Sequence, residues 1–178
     1  MKKIVNLLLI ACLLLGLSGA LAQTMTTELA KLDNGTHIVL HHDENVQITS
    51  VNSSASDTNV WVEVNDAVHA AVTLRIMPSE IDSELSLGDL TEEQQLQYGQ
   101  MVGAMFANPE IHLDTTPSGN LYLHVCSNEK SDIDTIFTIY KGYFVELIQF
   151  SRDNFAQLTE ADKAFCLSVL HGIEFIAE

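Results

Sequence analysis

The chain has 178 residues, with 24 acidic against eight basic side chains and a formal net charge of −16. Lys2 and Lys3 sit at the start, so from residue 23 onward six bases face 24 acids, a net charge of −18. Such a surface repels phosphate backbones and anionic lipid, which excludes nucleic-acid binding and docking on an anionic membrane. It suits solubility outside the cell, or a cationic partner.

The first 22 residues read as a cleaved signal helix of bacterial style. Met1-Lys2-Lys3 is its positive start, Leu7–Leu15 an unbroken apolar run, and Ala20-Leu21-Ala22 a small-residue cleavage pattern. Cleavage after Ala22 leaves residues 23–178, one domain by size, in the periplasm or outside the cell. Leu9-Ile10-Ala11-Cys12 fits a lipoprotein processing box in outline, but lipidation at Cys12 would halve the apolar core, so it ranks below the signal peptide. No other apolar run approaches the roughly 20 residues of a bilayer span, so no insertion is expected after cleavage.

Residues 23–35 are polar, with Leu29 and Leu32 the only branched aliphatics, and Asn34-Gly35 marks a turn. Thr36–His42 reads as a strand. Residues 43–58 read as a loop with one short edge strand. Asn59–Val64 is a strand, Asn65-Asp66 a turn, and Ala67–Met77 a longer strand in which Val72, Leu74 and Ile76 alternate with Thr73 and Arg75. Pro78–Leu90 is an acidic connection. Thr91 opens a helix with Gln94 at the capping-box position. Tyr98, Met101, Val102, Met105 and Phe106 recur at helical spacing and are expected to face the core. Asn108-Pro109 stops the helix. Ile111–Thr116 and Leu121–Ser127 form a hairpin around Pro117-Ser118-Gly119-Asn120.

The best-determined block is Asp134–Phe175. Lys141-Gly142 between Thr135–Tyr140 and Tyr143–Phe150 is a strong hairpin signal. It pairs Tyr140 with Tyr143, Thr138 with Val145 and Ile136 with Leu147. Both faces are apolar, so the hairpin is expected to be covered on both sides. Thr159 and Asp162 make a capping box for the last helix. Phe165, Cys166, Val169, Leu170 and Ile173 form its apolar face, and Gly172 is expected to end it in a left-handed conformation. The fold class is α+β: an antiparallel sheet of six or seven strands with two main helices packed on it, in a single domain.

The series IHLDTTPSGNLYLHV, IFTIYKGYFVELIQF and LTEADKAFCLSVLHGIEF resembles the C-terminal half of the PsbP/Mog1-like proteins. Ser168–Phe175 matches the close of that family's last helix, and the likeness spans residues 95–176. The aromatic opening strands of the family have no counterpart here. The resemblance implies a central antiparallel sheet flanked by helices, in a secreted accessory domain without catalysis. It carries over no functional residue.

Chemistry is sparse. Cys126 and Cys166 remain after cleavage, as a disulfide or as two small core hydrophobes. Neither sits beside a base that would activate it. His41, His42 and Asp43 are candidate metal ligands, although His37 and His41 stand about 13 Å apart on one strand face. Asn128, Asp132 and Asp134, with Glu129, offer oxygens for calcium without an EF-hand pattern. His124 and Cys126 share a strand face, but two ligands do not make a zinc site. Glu146, inside an apolar hairpin opposite Phe137, is a candidate functional acid. No G-x-S-x-G, H-E-x-x-H, P-loop or G-x-G-x-x-G occurs. The expectation is therefore an exported, non-enzymatic binding or accessory domain with no cofactor, contacting a protein or cell-envelope component. The alternatives are a divalent-metal binder, or a hydrolase built on Glu146 or a histidine–carboxylate pair.

Overall fold

The computed structural model describes residues 24–32, 34–53, 60–79, 81, 84–104, 106, 108–127, 133–151 and 157–177. The signal segment 1–22 with Cys12, and Met105, Asn128, Glu129 and Asp132, lie outside the described residues. The elements are β1 (Thr24–Lys31), β2 (His37–Asp43), β3 (Gln47–Ser53), β4 (Val60–Asn65), β5 (Val72–Pro78), α1 (Glu92–Gly103), β6 (Pro109–Thr115), β7 (Leu121–Ser127), β8 (Ile133–Tyr140), β9 (Tyr143–Phe150), α2 (Glu160–Gly172) and β10 (Ile173–Ile176).

Seven strands form one antiparallel sheet in the order β3-β4-β5-β9-β8-β7-β6, and three form a second in the order β1-β2-β10. The expected α+β class holds, with a small second sheet added. The β8–β9 hairpin lies at the centre of the large sheet. Lys141 and Gly142 both take positive φ, 44° and 79°, as a two-residue hairpin turn requires. Tyr140 pairs with Tyr143, Thr138 with Val145 and Ile136 with Leu147, the register expected from the turn.

Alternation along these strands sends side chains to two separate cores. Ile136, Val145 and Leu147 join Phe165, Cys166, Val169 and Leu170 of α2, together with Ile38 and Leu40 of β2. Phe137, Ile139 and Phe144 join Leu87 and Val102 on the α1 side. The hairpin is thus covered on both faces. Burial of whole Ile, Leu and Phe side chains contributes about 1.5–3 kcal/mol each.

Several expectations need correction. Met101 is 61% exposed; Val102 is buried as expected, and α1 adds Gln95, Gly99 and Gly103 to its buried face. The cause is close packing: a Cβ on Gly99 would lie 2.7 Å from Ile111 Cγ2, so the helix turns its small residues to the sheet. Tyr98 and Phe106 still pack at the edge of that core. Gly172 is not left-handed, since the positive-φ glycines are Gly35, Gly119 and Gly142. It is needed because a Cβ there would collide with the His41 carbonyl oxygen. β5 starts at Val72, because Asp66 Oδ1 accepts the N–H groups of Val68 (2.8 Å) and His69 (2.6 Å) and bends the chain first. Residues 24–31 form a strand that their polar composition concealed, paired with β2 through a bulge at Glu28–Ala30.

Candidate functional site

α2 is held against the β4–β5 turn by its own N-cap. Thr159 accepts the Asp162 N–H, and Asp162 Oδ1 accepts the Ala70 N–H at 2.7 Å. Burial would raise the Asp162 carboxyl, but the bonds from Thr159 and Ala70 outweigh it and hold the group below its ordinary 3.8. Beside this tether lies a cleft of about 540 Å³ between β2 and α2. A cleft of that volume lies within the range of small-ligand sites.

The floor of the cleft is apolar, built from Leu40, Val46, Phe165 and Val169. Its polar wall comes from the β4–β5 turn. His69 donates from Nδ1 to Asp66 Oδ2 at 2.8 Å and stacks on Phe165 with ring centroids 5.1 Å apart. Burial would raise the Asp66 carboxyl, but the backbone and side-chain bonds of His69 and the N–H of Val68 hold it below 3.8. Asp66 is therefore an anion at neutral pH.

His41, His42 and Asp43 line the same cleft. Their ring nitrogens already have partners. His41 Nε2 donates to Glu174 Oε2 (2.8 Å) and Nδ1 pairs with the Thr26 hydroxyl (2.9 Å). His42 Nδ1 donates to the Asp43 carbonyl (2.8 Å) and Nε2 pairs with Thr27 Oγ1 (3.0 Å). These histidines tie β1 and β10 to β2, so the wall they form is fixed. Among the described residues, His41, His42 and Asp43 do not bring ligand atoms to a common point.

The other predicted residues lie elsewhere. Asp134 is a buried residue of β8, where it accepts from His124 Nε2 at 2.7 Å, rather than part of an oxygen-lined loop. Cys126 and Cys166 are separate free thiols, so the disulfide alternative is absent from this structure. Burial raises both thiols, Cys166 the further, and the Asp134 and Glu110 carboxylates add to the rise at Cys126. Neither thiol is thus poised as a nucleophile. Glu146 is 1% exposed and takes both Nε and Nη2 of Arg75, across the β5–β9 ladder. It alternates with Val145 and Leu147, so it faces the α1 side, across the large sheet from the His69–Asp66 pair.

Sequence reasoning passed over His69 and Asp66. Their signal was the D-x-x-H spacing directly after a strand, read there only as a turn. It also passed over Glu110 and His112, which β6 brings opposite Cys126 and His124. No model of a known protein family matches the chain, and no curated protein matches it.

Proposed function

We propose that the chain is an exported binding or accessory domain that acts by surface contact, with a protein or cell-envelope component seated in the cleft between β2 and α2. The observation that carries this reading is the cleft itself: an apolar floor at Phe165 and Val169 beside an anionic, hydrogen-bonded wall at Asp66 and His69. An apolar floor with a few fixed polar groups is the usual composition of a recognition site. The net charge of −16 favours a partner that presents a cationic group beside an apolar one. The signal-like residues 1–22 and the resemblance of residues 95–176 to PsbP/Mog1-like accessory domains support the same reading.

A second reading, hydrolysis, rests on the His69–Asp66 pair. It is weakened by the only hydroxyl α2 offers the cleft, since Ser168 Oγ donates to the Phe165 carbonyl at 2.7 Å. Glu146 adds nothing to it from the far side of the sheet.

Ala164 lines the cleft and is exposed, so Ala164→Trp fills the cleft without entering the core. The purified wild-type protein, immobilised and challenged with envelope extract of its host, is expected to retain a partner that Ala164→Trp does not. Equal retention by the two proteins would contradict the reading, and a circular-dichroism melt of the variant checks its fold.

A further inference from the structure

One end of the β6–β7 ladder brings four ligand-type side chains together on one face. Glu110 lies opposite Cys126, and His112 opposite His124. Residues two apart on a strand share a face, and direct cross-strand partners share it too, so these four stand at the corners of one quadrilateral. We infer that this face is a binding site for a single zinc-type divalent ion, held by Glu110, His112 and Cys126.

Distances carry the inference. Oxygen of Glu110, nitrogen of His112 and sulfur of Cys126 all lie within 4.8 Å of one another. His112 Nε2 and Glu110 Oε2 are 3.5 Å apart. That is long for a hydrogen bond, but it matches the edge of a tetrahedron around an ion roughly 2.1 Å from each ligand. The chemistry agrees. One thiolate, one imidazole and one carboxylate are zinc's own ligand types, whereas calcium and magnesium take oxygen alone.

The fourth corner, His124, lies beside the three ligands and is not one of them. His124 Nε2 is held at 2.7 Å by Asp134, whose side chain is 3% exposed. That buried carboxylate fixes the His124 ring in place. The His124 ring lies 6.2 Å from that of His112. Binding displaces the Cys126 S–H proton to solvent.

The site is separate from the cleft of the proposed function and does not depend on it. Zinc chloride titrated into the purified, reduced protein by calorimetry is expected to bind one ion per chain, with proton release. Cobalt in its place is expected to give the thiolate charge-transfer band and the intense visible bands of a tetrahedral site. Cys126→Ser should abolish the charge-transfer band. His112→Ala, at a ring 57% exposed and so harmless to the fold, should weaken zinc at least about tenfold. His41→Ala, away from this face, should leave the zinc affinity unchanged. The inference is overturned if zinc gives no heat, if Cys126→Ser and His112→Ala bind like wild type, or if His41→Ala removes the binding.

Discussion

Arg75 stands directly opposite Glu146 in the β5–β9 ladder, and its guanidinium closes on a carboxylate whose side chain is 2% exposed. Trp61 continues the row, with the Arg75 guanidinium carbon 5.4 Å from its ring centroid. A buried acid that sequence reasoning offered as a functional candidate is therefore half of a structural ion pair.

Breaking that pair from the buried side leaves Arg75 without its counter-charge. Glu146→Ala is expected to destabilise the fold by about 3 kcal/mol, the lower end for a buried pair because Arg75 is partly solvated. The double variant Arg75→Met with Glu146→Leu should recover most of the loss. Urea denaturation of the three proteins checks both statements.

Gly172 tests the junction between α2 and β10. A methyl group there meets the His41 carbonyl, and no positive φ is involved, so the cost is steric alone. Gly172→Ala is expected to cost about 2 kcal/mol, in the range of overpacking, and to loosen β10 first. Amide exchange at Ile173–Ile176 faster than in wild type is the expected signature.

The two thiols should differ in reactivity. Cys166 is fully buried and its thiol is pushed far up by that burial, with Asp134 adding to the rise. Cys126 is half-buried and less strongly raised. Iodoacetamide at neutral pH is expected to label Cys126 slowly and Cys166 only after unfolding. Mass spectrometry of the native and denatured protein reads the difference.

Asp66 and Asp162 give stability a pH dependence of known sign. Both carboxyls are held below 3.8 in the folded chain, so the unfolded chain takes up protons first as pH falls. Their contribution is complete above about pH 5 and drains away as pH drops through 3.8 toward the folded values. Asp162→Asn should flatten the fall in melting temperature between pH 5 and pH 3.

Much of the fold was legible because the central hairpin has both a turn signal and apolar runs. Lys141-Gly142 dictated the register, and the Thr91 and Thr159 caps placed both helices. β1 was not legible, because only Leu29 and Ala30 pack on the core, while its other side chains meet solvent or the rings of His37, His41 and His42 and show no apolar period. The buried face of α1 was read correctly at Tyr98, Val102 and Phe106 and wrongly at Met101, because Gly99 and Gly103 carry no hydrophobic signal, yet they permit the close approach to Ile111 and Pro109. Of the candidate site, His41, His42 and Asp43 were visible. Asp66 and His69 were not, since their pairing depends on how the turn after β4 meets Phe165.

The claim that contact at the β2–α2 cleft is what this chain does can be tested at one residue. A photo-reactive amino acid replaces Ala164 inside the cleft, and in a control it replaces Leu113, exposed on β6. Irradiation of the living host, followed by mass spectrometry of the adducts, is expected to give one envelope partner from position 164 and none of it from position 113. No adduct at 164, or the same adducts from both positions, would contradict the account.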